Sequence, residues 1–310
     1  MQMAMDHSAP TNWVAVDWGT SNLRAWLIGD DNTNIEQRSS DQGMGRLEPG
    51  DFEPVLLSML SGWLPADGVL PVLICGMAGA RQGWAEAPYL TVPCSPPTAA
   101  GAITPPTKDP RLRVRILPGL CQTEPADVIR GEETQLAGLL AQAPTFEGVV
   151  CLPGTHTKWV QITGGTISTF RTFMTGELFG LLARQSVLRH TVTDCGWDNK
   201  AFAATLIDSI APPQTLTTRL FSLRAKDLLE GLDAAVARAQ LSGMLIGTEL
   251  AALDPLWLLD EVVIIGDLKL SALYNEALAL TGISARLLDA EAMTLAGLKT
   301  AYKRIGEPVL

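Results

Sequence analysis

Trp13-Val14-Ala15-Val16-Asp17-Trp18-Gly19-Thr20-Ser21-Asn22-Leu23-Arg24 is the stretch on which the fold turns. An apolar run ends in an acid, breaks into glycine and small hydroxyl residues, and resumes over 23–28. The pattern predicts two strands joined by that turn, a second turn at Gly29-Asp30-Asp31-Asn32, and a third strand over about 33–39. From Gly154, about 135 residues after Gly19, the same order returns. Residues 149–152 read as a strand, Pro153-Gly154-Thr155-His156-Thr157 as a turn and 158–162 as a strand, with Gly164-Gly165 turning into a third strand over 166–170. Few letters are shared, but the repeated unit of strand, Gly-Thr turn, strand, Gly turn, strand predicts two related lobes.

Outward from these meanders, helical spacing covers 52–64, and 70–75 reads as a buried strand running into Gly76-Met77-Ala78-Gly79. Seven prolines between 93 and 118 mark that stretch as loop or edge structure. A helix opens near Gly131 and runs to about 141, and mainly helical sequence then follows the second meander to about 253. Residues 262–265 form a strand entering Gly266, followed by helices over 270–281 and 290–303. The lobe boundary falls near 143–147, dividing the chain into 1–144 and 145–310. Hairpin-linked strands followed by helix-linked ones predict mixed sheets.

The chain has 310 residues, 47% hydrophobic and 18% charged, with a formal net charge of −10. That length buries a large core unaided, and that charge disfavours broad attraction to nucleic acid or an anionic membrane. No signal peptide is read in the opening residues, and the apolar stretch 250–266 is broken by Asp254, Pro255, Asp260 and Glu261. The five scattered cysteines form no CxxC pair and read as buried, reduced thiols. The three histidines lie far apart, which gives a zinc site no support. The expectation is a cytoplasmic enzyme acting on a small molecule; the oligomeric state is not legible.

Glycine turns between strands leave backbone N–H groups free to meet phosphate oxygens, and two such turns can grip a polyphosphate from both sides. Asp17, at a strand tip, suits a hydrated Mg²⁺. There is no GxxxxGK[ST] loop and no protein-kinase HRD or DFG set, which excludes those two phosphate-binding designs.

The segment Asp17–Arg24 resembles the first phosphate loop of the actin/hexokinase superfamily, Cys151-Leu152-Pro153-Gly154-Thr155-His156-Thr157-Lys158-Trp159 its second, and Val262-Val263-Ile264-Ile265-Gly266-Asp267 its adenosine segment. Taken together with GMAGARQGW, RGEETQLAG, FMTGELF and SGMLIG, they make the chain similar to the 2-dehydro-3-deoxygalactonokinase family over most of its length. The resemblance implies an α/β fold of two ribonuclease H-like lobes with a nucleotide cleft between them. It implies ATP and Mg²⁺ as cofactors, and phosphorylation of the 6-hydroxyl of 2-dehydro-3-deoxy-D-galactonate. Asp17 would then hold the metal. Gly19, Thr20, Ser21 and Asn22, with Gly154, Thr155, His156, Thr157, Lys158 and Gly266, would hold the nucleotide. Leu152 stands where many superfamily members carry a second acid, which weakens a metal role for the second loop.

Gly131-Glu132-Glu133-Thr134 resembles the helix start that supplies the catalytic acid in related sugar kinases. Matching the Gly-acid pair selects Glu132 and matching the acid-Thr pair selects Glu133; the reading favours Glu132, with a helix-dipole role as the plain alternative. Gly76, Met77 and Arg81 occupy the position of a sugar-binding loop, where Arg81 can pair with the substrate carboxylate. Trp84 either packs on the substrate or joins the core, Arg171 and Thr172 are weaker substrate candidates, and Lys158 either faces phosphate or covers apolar surface. Thr175 reads as a helix N-cap. Two other functions are weighed against the kinase: a phosphohydrolase such as an exopolyphosphatase, and a non-catalytic actin-like nucleotide switch.

Overall fold

Strand β1 (Trp13–Trp18) buries both of its faces. Val14, Val16 and Trp18 enter one apolar cluster with Leu23, Ala25 and Phe52, whereas Trp13 and Ala15 enter another with Trp26, Leu73 and Leu298. Successive strand residues face opposite sides, so a strand apolar on both must lie inside a sheet covered on both. In the computed structural model, which describes residues 12–303 except 194, 212–214, 256, 258 and 259, that is its place. His7 and the opening stretch in which no leader is read lie outside the described residues.

Antiparallel pairing joins β1 to β2 (Leu23–Ile28), and β2 to a largely exposed edge strand, β3 (Asn34–Ser40). After α1 (Phe52–Met59), β4 (Leu70–Gly76) runs parallel to β1. A short β5 (Tyr89–Thr91) follows, then β6 (Leu112–Ile116), which is parallel to β4 and closes the order β3-β2-β1-β4-β6. β5 pairs instead with β7 (Gly119–Thr123), and β7 with β8 (Ala126–Ile129), in a small third sheet that the sequence does not announce. Their short segments are only intermittently buried, so they carry no apolar run to read. Helix α2 (Glu132–Gln142) follows.

The second meander is β9 (Gly148–Leu152), β10 (Thr157–Thr163) and β11 (Thr166–Phe173). Four helices come next: α3 (Thr175–Gln185), α4 (Asn199–Ile210), α5 (Leu216–Glu230) and α6 (Ala234–Ala251). Then β12 (Val262–Gly266) runs parallel to β9, and beyond α7 (Leu268–Leu280) β13 (Ala285–Asp289) runs parallel to β12. The order β11-β10-β9-β12-β13 repeats that of the first sheet, so the repeat read in the sequence is one of architecture. The fold is that of the actin/hexokinase-like ATPases.

Contacts divide the chain into two compact units, one of residues up to 146 with 164–167 and 291 onward, the other of 147–163 and 168–290. The sequence boundary assigned everything after 144 to the second lobe, whereas α8 (Ala290–Lys303) groups with the first unit. Two contacts explain its return. Tyr302 stacks on Trp13 with ring centroids 3.9 Å apart. Gly138 of α2 and Gly297 of α8 let the helix backbones touch: a Cβ on Gly138 would lie 2.0 Å from the Met293 carbonyl oxygen, and one on Gly297 would lie 1.9 Å from that of Thr134.

Other expectations need adjusting. The helix expected over 52–64 ends at Met59, and β13, with its mixed letters Ala-Arg-Leu-Leu-Asp and half-open faces, was not legible as a strand. The cysteines are free, but only Cys75 and Cys151 are buried, while Cys195 is exposed. Among the described residues no helix is long and apolar enough to cross a membrane.

Candidate active site

In the first unit, three chain segments meet at the ends of the parallel strands. β1 and β4 are paired so that Asp17 lies opposite Cys75 and Trp18 opposite Gly76. Gly76 has φ 90°, and a Cβ there would stand 2.7 Å from the Trp18 carbonyl oxygen and 3.6 Å from Asp17 Oδ1. Gly131, with φ 110°, opens α2 so close by that its Cβ would lie 3.5 Å from Gly76 Cα. Both glycines are therefore demanded by backbone angle and, at Gly76, also by space. This meeting sets Glu132 near Asp17.

Burial holds the Asp17 carboxyl above its usual range; Arg24 opposes the shift and the charges of Glu132 and Glu291 add to it. Arg24 Nη1 lies 3.2 Å from Asp17 Oδ2, and its Nε lies 3.4 Å from Glu291 Oε2. The two glutamates of the helix start separate clearly. Glu132 is half-exposed, while Glu133 is 1% exposed. Glu133 Oε2 accepts the Gly131 N–H at 2.6 Å, and Oε1 accepts the Thr134 hydroxyl at 3.3 Å. Burial, then the neighbouring Glu132, pushes the Glu133 carboxyl up to about 8. Glu133 is thus folded back to satisfy its own helix start, and Glu132 is the one that reaches solvent.

Thr20, Ser21 and Asn22 are exposed on a turn closed by the Gly19 N–H donating to the Asn22 carbonyl at 2.9 Å. Sequence reasoning missed the segment that braces this turn. Met44 N–H donates to Gly19 O and Gly45 N–H to Thr20 O, each at 2.9 Å, and a Cβ on Gly43 would stand 2.3 Å from the Ser21 carbonyl carbon. Its only trace in the sequence is the pair of glycines in Gln42-Gly43-Met44-Gly45.

In the loop after β4, Met77 is half-buried, and Arg81 is exposed with its Nε 3.5 Å from Glu86 Oε1. Trp84 is buried in the core, edge-on to Trp18 with centroids 6.3 Å apart, and also borders a cavity with Glu53, Leu57 and Asp109. Arg130 was not singled out from sequence. Its Nη2 donates to the Ala87 carbonyl at 2.7 Å, and its Nη1 is buried beside Gly79 with no hydrogen-bond partner among the described residues.

In the second unit, Gly154, Thr155 and His156 form the accessible part of the second loop, while Thr157 and Lys158 turn inward. The Thr157 hydroxyl lies 2.9 Å from Tyr274 Oη, and Lys158 Nζ donates to the His156 carbonyl at 2.9 Å. Helix α3 starts against this loop: a Cβ on Gly176 would lie 2.3 Å from the Gly154 carbonyl oxygen, and the Glu177 N–H donates to Thr155 O at 2.9 Å. His156 Nε2 and Glu177 Oε2 are 2.5 Å apart. Thr175 is the first residue of α3, with Met174 at the N-cap, and its hydroxyl donates to the buried Glu249. Gly266 ends β12 beside the loop, where its Cβ would be 3.4 Å from Pro153 Cδ and 2.6 Å from Ser271 Oγ. A cavity of about 240 Å³ adjoins the second loop, lined by Gly154, Gly176, Phe179, Trp197, Arg238 and Tyr274 among others. Arg171 and Thr172 stand near the end of β11, with Arg171 over the Trp257 ring at 5.9 Å.

The sequence profile of a family described as 2-keto-3-deoxy-galactonokinase matches residues 17–301. A Rhizobium meliloti (strain 1021) protein named as a probable 2-dehydro-3-deoxygalactonokinase is 42% identical over 299 residues, covering 94% of this chain and 97% of its own. The 2-dehydro-3-deoxygalactonokinase of Escherichia coli (strain K12) is 34% identical over 291 residues, covering 93% and 96%. A crystal structure from Sinorhizobium meliloti, described as a candidate 2-dehydro-3-deoxygalactonokinase, superposes with TM-score 0.86 at 40% identity over 96% of this chain and 98% of that one.

Proposed function

Because this chain belongs to the 2-keto-3-deoxy-galactonokinase family, we propose that its two glycine-turn loops and the Asp17–Glu132 cluster serve one reaction. The chain is an ATP-dependent sugar-acid kinase of galactonate catabolism, and the hydroxyl it phosphorylates is the 6-hydroxyl of 2-dehydro-3-deoxy-D-galactonate. The observation that carries this reading is the family match from the first phosphate loop to the last helix.

Phosphoryl transfer demands positioning and charge stabilisation more than covalent participation. Glu132 accepts the proton of the attacking hydroxyl, for which its partial exposure beside Asp17 suits it. The exposed turn residues Gly19, Thr20, Ser21 and Asn22, and Gly154, Thr155 and His156 of the second loop, meet the phosphates. The cavity beside the second loop, flanked by Phe179 and Trp197, takes the adenosine. Arg81, exposed and held by a loose ion pair with Glu86, receives the sugar acid's carboxylate.

Asp17, with the charges of Glu132 and Glu291 acting on it, has Arg24 as its printed cationic partner, an excess of carboxylate over cation. That donor set fits Mg²⁺, which keeps most of its waters and takes one or two carboxylates with phosphate oxygens. When bound with ATP, the ion supplies charge neutralisation. The enzyme acts in the cytoplasm on small molecules.

An ADP-release assay over a panel of sugar acids and neutral sugars tests the reading. Turnover is expected with 2-dehydro-3-deoxy-D-galactonate and little with galactose or glucose. A preference for the neutral sugars would reject it.

A further inference from the structure

The acid on α6 belongs to no loop of the reaction, yet it lies beneath one. Glu249 is 2% exposed in an otherwise apolar core that includes Val149, Cys151, Ile246 and Leu250. Its Oε1 accepts from Trp159 Nε1 at 2.7 Å; its Oε2 accepts from the Thr175 hydroxyl and from Tyr274 Oη, the latter at 2.9 Å. A buried carboxyl is tolerated only with such donors, and an apolar residue would fill the place at less cost. What the acid accomplishes shows in where its partners lead.

Thr175 begins α3, and the next two residues fasten the second loop from one side, Gly176 against the Gly154 carbonyl and the Glu177 N–H on Thr155 O. Tyr274 reaches the same loop from the other side, through the Thr157 hydroxyl at 2.9 Å. When Glu249 is ionised and accepts the phenol proton, Thr157 is left as the donor in that last bond. We propose that Glu249 is a positioning residue for the nucleotide: by holding Thr175 and Tyr274 on one carboxylate oxygen, it sets the conformation of the 153–157 loop. This rests on the kinase reading, in which that loop meets the phosphates. Lost complementarity at the loop should therefore appear as weaker nucleotide binding and leave the sugar acid untouched.

Glu249→Gln keeps the volume but sets an amide N–H₂ against donors whichever way it turns, the two hydroxyls on one side or Trp159 Nε1–H on the other. Tyr274→Phe cuts one arm and Thr175→Val the other. Each full-length variant is checked for folding by thermal melt. Affinity for a non-hydrolysable ATP analogue is then measured by calorimetry, and KM for ATP and for the sugar acid by steady-state kinetics. In Glu249→Gln, nucleotide Kd and KM for ATP should rise about tenfold, with smaller rises in the arm variants, while KM for the sugar acid stays within about twofold. Tyr274→Phe should add little in the Glu249→Gln background, because both remove the same arm. Folded variants that bind the analogue as wild type does would overturn the positioning role alone. So would a parallel rise in both KM values, which marks general damage. Wild-type protein that fails to bind the analogue would overturn the kinase reading and this inference together. If Glu249→Gln does not fold, Tyr274→Phe, which fills the same space, decides between the two results.

Discussion

At the residue scale, Glu132 and Glu133 are neighbours with one chemistry and two environments. Letters alone leave them equivalent, since each fits one way of matching the motif. Burial separates them, and burial is a property of how α2 enters the first unit. Glu133 has spent both oxygens on its own helix start, while Glu132 is half-exposed near Asp17. Glu132→Gln is expected to lower kcat by roughly 10²- to 10⁴-fold, the usual contribution of a positioned base, with KM for ATP nearly unchanged. Glu133→Gln should retain turnover. Steady-state kinetics on the pair reads the difference, and reversed results would transfer the base to Glu133. Arg130 and Gly43 show the opposite limit: nothing in their local sequence tells that one stops beside Gly79 and the other lies under the first loop.

At the scale of elements, both meanders and the strand after each were legible, because apolar runs ending in glycine turns leave a local trace. The small sheet of β5, β7 and β8 was not, since its pairing is long-range and its residues are half wet. The destination of α8 was equally hidden. Its amphipathic spacing gives a helix, but only the reciprocal fit of Gly138 and Gly297 tells which helix it meets. That fit carries a prediction. Gly297→Ala places a methyl against the Thr134 carbonyl, on rigid backbone, so α8 must shift. Denaturant melts should show a loss of about 1–3 kcal/mol, as for other overpacked contacts. Turnover should fall too, because Thr134 stands two residues from Glu132. An unchanged midpoint and kcat would mean that the two helices separate without consequence.

At the scale of the molecule, the titration of buried acids sets how stability follows pH. Burial pushes Glu133 up to about 8 and Glu249 up to about 7, against an ordinary value of 4.5. Between the ordinary and the raised values the folded protein keeps protons that the unfolded chain has released, so raising pH through this window favours unfolding. Each unit of upward shift corresponds to ~1.4 kcal/mol. Guanidinium melts from pH 5 to 8.5 should therefore show falling stability in wild type and a shallower decline in Glu133→Gln. Parallel slopes for the two proteins would contradict the raised Glu133. The return of α8 also orders events in time. The ribosome delivers β1 through α2 first, then the entire second unit, and only afterwards the helix that covers Trp13, Trp26 and Leu73. Until that last segment emerges, the nascent first unit has an uncovered apolar face and an unbraced α2. The helix that carries the proposed base thus becomes secure only when synthesis is almost done, and a prematurely terminated product would offer chaperones and proteases an open face rather than a working half-enzyme.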